Sequence, residues 1–114
     1  MQTATYEDRR VFERISAVLP VRYLDTQGSN EGRASTVDIS ANGVGMVVEQ
    51  PLAAHTPLEL WLAMPDRGEP VYSRGEVAWS VPAAGGRCRV GVKLEKAELM
   101  GFSRVLRAKR RFPQ

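Results

Sequence analysis

The chain has 114 residues, 43% of them hydrophobic and 25% charged, with a formal net charge of +3. That length allows one domain with its own core and excludes two, and the composition excludes a disordered chain. No apolar run approaches the roughly 20 residues that a membrane-spanning helix needs, so membrane insertion is not expected.

Cys88 is the only cysteine and leaves no internal disulfide, and the stretch from Met1 to Arg14 is too polar for a signal peptide. Both features lead to a cytoplasmic expectation. Eight of the sixteen basic residues crowd the two ends: Arg9, Arg10 and Arg14 at the start, and Arg104, Arg107, Lys109, Arg110 and Arg111 at the finish. Such clustering suits an acidic ligand or partner.

Residues 1–8 lack apolar periodicity and read as a flexible tail, so Asp8-Arg9-Arg10-Val11-Phe12-Glu13-Arg14 opens a domain spanning 9–114. Leu19 to Leu24 is predicted as a first strand, with Pro20 tolerated at its start or on an edge, and Asp25 to Gly32 as a polar loop. A second strand is expected from Arg33 to Asp38. Asn42-Gly43 is a hairpin signal, Val44 to Glu49 the returning strand, and Pro51 its end.

Leu58, Leu60, Leu62 and Met64 alternate with Glu59, Trp61 and Ala63, the pattern of a half-buried strand that points Trp61 outward. Val71 to Val81 has room for a long strand with a bend or bulge at Gly75, and Pro82 to Gly86 for a loop. Cys88, Val90, Val92 and Leu94 alternate through a last strand. Six short strands joined by hairpin-length connections are most economically closed into an antiparallel β-barrel, which removes exposed edges.

The period then changes. Leu99, Phe102, Val105 and Leu106 share a helical face, and a C-terminal helix over about 97–111 is predicted to pack on the barrel. Gly101 weakens that helix by roughly 1 kcal/mol, so docking rather than propensity should hold it.

Two stretches carry the chemistry: the arginine segment and Asp38-Ile39-Ser40-Ala41-Asn42-Gly43. An arginine fork meets phosphate oxygens, or the O6 and N7 acceptors of a guanine, with two parallel hydrogen bonds. An ionised aspartate only accepts, which suits Asp38 to the N1–H and N2–H donors of the opposite guanine edge. Ser40, two residues along an extended chain, points to the same side. Gly43 either takes a positive φ or lets a ligand approach where a Cβ would stand.

Arg10-Val11-Phe12-Glu13-Arg14 followed by Asp38-Ile39-Ser40-Ala41-Asn42-Gly43 resembles the paired Arg-x-x-x-Arg and Asp/Asn-x-Ser-x-x-Gly motifs of PilZ domains, bacterial receptors for cyclic di-GMP. The resemblance runs from Arg9 to about Arg110 and includes Gly75 to Trp79 and Arg89 to Val92. It implies a six-stranded β-barrel with a C-terminal helix and a non-catalytic second-messenger receptor. It assigns Arg10 and Arg14 to phosphate and guanine contacts, Asp38 and Ser40 to a guanine, and Gly43 to the turn. Arg9, just before the first motif arginine, is the position where a basic residue accompanies an intercalated cyclic di-GMP dimer. No cofactor is implied. The expected partners are the nucleotide and a protein effector in motility or exopolysaccharide synthesis, with the chain a monomer or weak dimer.

An enzyme would need an assembled catalytic set. His55 lies in a polar loop segment, and Cys88 alternates with core positions without an evident base. Neither supports a structural zinc site. A small basic barrel binding single-stranded nucleic acid is the alternative, and it calls for exposed aromatics interleaved with basic residues on adjacent strands. Trp79 is open to either a core position or one flanking the nucleotide. A third reading is a ligand-free protein-interaction module.

Overall fold

The computed structural model describes residues 13–111. Its strands are β1 (Ile15–Ser16), β2 (Pro20–Asp25), β3 (Asn30–Ser40), β4 (Gly43–Val48), β5 (Pro57–Leu62), β6 (Val71–Pro82) and β7 (Cys88–Leu94), followed by helix α1 (Leu99–Arg111). Antiparallel pairing runs in the order β3-β2-β5-β6-β7-β4, and β4 returns to β3. This closes a six-stranded barrel, with β1 as an extra strand on β3.

Strand alternation explains the closure. Val21 and Tyr23 of β2, Leu58, Leu60 and Leu62 of β5, Val44, Met46 and Val48 of β4, and Val90, Val92 and Leu94 of β7 all point inward and are buried. Helix α1 covers one end with Phe102, Val105 and Ala108. The cavity between helix and barrel, among Ile39, Met64, Leu94 and Phe102, holds about 20 Å³, which is consistent with a packed core.

Several expectations change at their edges. The two-residue β1 carries too little sequence for any periodicity to reveal it. The loop expected over Asp25 to Gly32 contracts to residues 26–29, because Asn30, Glu31 and Gly32 pair with Asp25, Leu24 and Tyr23. Gly32 permits this: a Cβ there would overlap the phenol of Tyr23 lying across it.

Gly75 is regularly paired with Leu58 and Leu94, and no bulge falls there. Its need for glycine is instead a close approach, since a Cβ would collide with the Lys93 carbonyl. The β6 bulge falls between Val77 and Trp79.

Leu99, expected on the docking face of the helix, is half-exposed, while Ala108 is buried. At 3.6 residues per turn Leu99 lies about a quarter-turn from the middle of the stripe formed by Phe102, Val105, Leu106 and Ala108. Gly101 brings the first turn close to β6, with Val71 Cγ2 3.0 Å from where a Cβ would be. Arg104 then clamps the helix: it donates to both carboxylate oxygens of Asp66, at 2.8 and 2.9 Å, and to the Glu69 carbonyl at 2.9 Å.

Candidate functional site

Asp38 owes its position to a register shift. Thr36 opposes Met46 and Asp38 opposes Gly45, so Val37 is one residue too many for β4. Without that bulge Asp38 would share the inward face of buried Thr36. With it, the carboxylate emerges on the outer wall, and Ser40 follows on the same side but is buried, with 4% exposed.

The pairing Ile15↔Ile39 and Ser16↔Asp38 delivers Arg14 to this spot, since one further step of the same register brings Arg14 beside Ser40. Its guanidinium donates through Nε at 3.0 Å to Asp38 Oδ1 and lies 2.7 Å from the same oxygen through Nη2. Arg89 of β7 approaches the other oxygen, Oδ2, at 3.7 Å. Asp38 is therefore flanked by two cations, with about a quarter of its side chain exposed (24%).

The turn between β3 and β4 is Ala41-Asn42, and Gly43 already belongs to β4. Positive φ among the described glycines is confined to Gly85 and Gly86, so Gly43 is required by space and not by a left-handed backbone. A Cβ there would stand 3.2 Å from Arg14 Nη1 and 3.2 Å from the Val92 carbonyl. Ser40 Oγ donates to Asn42 Oδ1 at 2.8 Å. The turn is tied to the end of the neighbouring β7 and to the helix: Leu94 N–H donates to the Asn42 carbonyl at 3.0 Å, and Glu98 N–H, at the start of α1, to the Ala41 carbonyl at 2.6 Å.

Beside this turn lies an open groove of about 240 Å³, lined by Arg14, Asn42, Gly43, Trp79, Gly91 and Lys93. Trp79 is on the outer surface and 44% exposed, which excludes the core position. A Cβ at Gly91 would overlap its indole, so the ring lies over the glycine of the neighbouring strand. Gly45, Gly91, Arg89 and Lys93 were not singled out as site residues from the sequence. Glycines at outward strand positions, where alternation calls for a side chain, were the available signal.

Of the six candidate binding residues, Arg14, Asp38, Ser40 and Gly43 converge on this wall. Arg9 and Arg10, with the 1–8 tail, lie outside the described residues. His55 is exposed at a positive φ of 72° and Cys88 is half-buried at the margin of the core. Among the described residues no cluster of three metal-ligating side chains occurs, and no helix is long and apolar enough to cross a membrane.

The sequence matches the family model of the PilZ domain over residues 8–106. The fold is similar to that of the Bacillus subtilis inhibitor of motility MotI/DgrA, with a TM-score of 0.71 and 16% identity over 99% of this chain and 59% of that one. It is also similar to the PilZ domain of Escherichia coli YcgR with c-di-GMP, with a TM-score of 0.61 and 16% identity over 90% of this chain and 96% of that one. A third likeness is the PilZ domain of CeSA from a cellulose-synthesising bacterium, with a TM-score of 0.56 and 23% identity over 83% of this chain and 92% of that one. The chain thus spans about three-fifths (59%) of the length of MotI. No match was found among curated proteins.

Proposed function

The chain belongs to the PilZ domain family, and from that premise we propose that it is a non-catalytic receptor for cyclic di-GMP. The observation that carries the reading is the Arg14–Asp38 pair on the outer barrel wall, at 2.7 Å, beside Ser40, Gly43 and an open groove. PilZ domains are regulatory modules, and the YcgR domain of similar fold is one with c-di-GMP.

In the free protein Arg14 and Asp38 satisfy each other. A cyclic dinucleotide offers both a better partner: its phosphates accept from the Arg14 fork, and the N1–H and N2–H edge of a guanine donates to Asp38. Ser40 adds a hydroxyl to the same base, and Gly43 keeps the approach clear. Arg9 and Arg10 extend the cationic set toward the phosphates, with Arg9 favouring a stacked nucleotide dimer. Fixing the segment from Arg9 to Arg14 costs conformational entropy, which charge-assisted hydrogen bonds offset.

The output is a changed surface for an effector protein, with the N-terminal segment ordered against the wall. Hydrogen bonds from Glu98 and Leu94 into the Ala41-Asn42 turn give α1 a physical route to sense the same event. The names of two similar proteins, an inhibitor of motility and a domain from a cellulose-synthesising bacterium, support motility or exopolysaccharide synthesis as the controlled process. The receptor acts in the cytoplasm, where it is a monomer or weak dimer.

Single-stranded nucleic acid is less well served. Arg22 stacks over Trp61 at 4.1 Å, and Trp61 meets Tyr72 at 5.3 Å, which gives the aromatic and basic row such a reading needs. However, Glu31 lies 3.4 Å from Arg22, and Glu59 accepts from the Tyr72 hydroxyl at 2.6 Å. Carboxylates thus interrupt the positive track that a phosphate backbone requires.

Calorimetric titration of cyclic di-GMP into the wild type, Arg14→Ala and Asp38→Ala, with GTP as control, tests the proposal. Selective binding lost in both variants supports it, and two nucleotides per chain would support the role given to Arg9. No heat at high ligand concentration would refute it.

A further inference from the structure

We propose that Arg89 is a positioning residue of this site: it holds the Asp38 carboxylate in place when Arg14 leaves it for the ligand. This inference rests on the receptor reading above.

The two cations are not equivalent. Arg14 takes Oδ1 through two nitrogens, at 2.7 and 3.0 Å, from the residue just before the two-residue β1 at the margin of the fold. Arg89 faces Oδ2 at 3.7 Å from β7, which is paired on both sides, with β4 and β6. Arg14 can therefore exchange partners while Arg89 remains anchored.

The approach of Arg89 crosses a whole strand. Arg89 opposes Val47 and Asp38 opposes Gly45, so β4 lies between them. Gly45 makes the crossing possible, because a Cβ there would stand 2.6 Å from Asp38 Oδ1 and 3.5 Å from Arg14 Nη2. The glycine leaves a notch into which the carboxylate leans.

Once Arg14 turns to a phosphate, Oδ1 is freed for a guanine donor. A carboxylate retains about four lone-pair sites, so Oδ2 can accept from guanine while still facing Arg89. Without Arg89 the freed carboxylate would rotate about its own side-chain bonds and lose its alignment with the paired N1–H and N2–H donors. Arg89 thus governs base discrimination through Asp38, a role distinct from adding positive charge near the phosphates.

Base discrimination and general charge separate in titrations of cyclic di-GMP and cyclic di-IMP, whose bases lack the N2 amine. Both are titrated into the wild type, Arg89→Ala and Arg89→Lys at one ionic strength. The wild type should prefer cyclic di-GMP. Arg89→Ala should reduce that preference about tenfold, the size of one hydrogen bond to a charged group, by weakening cyclic di-GMP much more than cyclic di-IMP. Arg89→Lys should restore part of it. Wild-type binding with an unchanged preference in Arg89→Ala, whether both ligands weaken equally or neither does, overturns the role of Arg89 and leaves the receptor reading intact. A wild type that binds neither dinucleotide overturns both. Arg89 is about half exposed (46%), and melting curves of the variants identify any loss that is simply unfolding.

Discussion

Asp38 and Trp79 stand at opposite ends of one cross-strand row, Asp38–Gly45–Gly91–Trp79, running over β3, β4, β7 and β6. Each follows a buried, inward-facing residue by two positions, Thr36 and Val77, and regular alternation would turn both into the core. A bulge in each strand turns them outward instead. An acceptor for hydrogen-bonding edges and a flat aromatic surface thus face each other across two glycines. Single insertions in otherwise regular strands build this arrangement and leave the inward faces mostly apolar, with Thr36 and Ser73 as their buried polar members.

Trp79 should report on ligand. The protein has two tryptophans, and Trp61 is held between Arg22 and Tyr72 on a different part of the barrel. In Trp61→Phe the remaining fluorescence comes from Trp79, which lines the groove. Titration with cyclic di-GMP should quench or shift that emission with the same midpoint as the calorimetric binding curve, while GTP should leave it unchanged. Binding heat with no change in emission would remove Trp79 from the site.

Gly45→Ala and Gly91→Ala should separate the two ends of the row. At Gly45 the new Cβ meets the Asp38 carboxylate at 2.6 Å, so Asp38 must withdraw from the notch and cyclic di-GMP affinity should fall by about tenfold or more. At Gly91 it displaces the Trp79 indole, and the first readout should be a change in the emission of the free protein. Neither residue has positive φ, so melting temperatures should fall only as far as the displaced side chain requires. Unchanged affinity in Gly45→Ala would mean that Asp38 does not bind from its present position.

Thr36→Val should damage both stability and the site. The buried Thr36 hydroxyl accepts from Leu19 N–H at 2.8 Å and donates to the Ala17 carbonyl at 2.5 Å, pinning the segment that follows β1 to β3. Valine has the shape of threonine but neither hydrogen bond, and stranded backbone groups of this kind cost about 1–3 kcal/mol. Denaturant unfolding should show that loss. Cyclic di-GMP affinity should also drop, because β1 carries Arg14 to Asp38. Loss of stability with full affinity would show that Arg14 is held by its own ion pair alone.

The barrel was legible because its code is local: alternating Leu58–Leu60–Leu62 and Val90–Val92–Leu94 need only a period of two, and Asp38-Ile39-Ser40 needs no more to set two polar groups on one side. What stayed hidden depends on pairing. Val37 and Ala78 look like ordinary strand residues, and only the register against β4 and β7 makes each one residue too many. Arg89 lies 51 positions from Asp38, and their contact requires both to pair with β4 and a glycine at 45. Gly75 carried a true signal of special geometry, but sequence alone could not distinguish a bulge from close approach to the Lys93 carbonyl. Likewise, Leu99 matched the helical period, and its exposure depended on where the barrel end falls beneath α1.

The Arg104–Asp66 clamp should make helix docking acid-sensitive. The hydrogen bonds from Arg104, then the one from Gly68 N–H, hold the Asp66 carboxyl down at about 2, against an ordinary value near 3.8. A folded-state value below the unfolded one means that the ionised form favours the folded state. The contribution is therefore complete above about pH 4 and is lost as pH falls toward 2. Asp66→Asn keeps the shape but has no charge to lose in that window. Circular dichroism melts at several pH values from 5 to 2 should show the wild type more stable than Asp66→Asn at pH 5, with the gap closing as pH approaches 2. Because Asp66 is solvent-exposed, the gap should also narrow in high salt. A constant gap across that range would mean that the clamp acts through shape and packing, with its charge contributing nothing to holding α1 on the barrel.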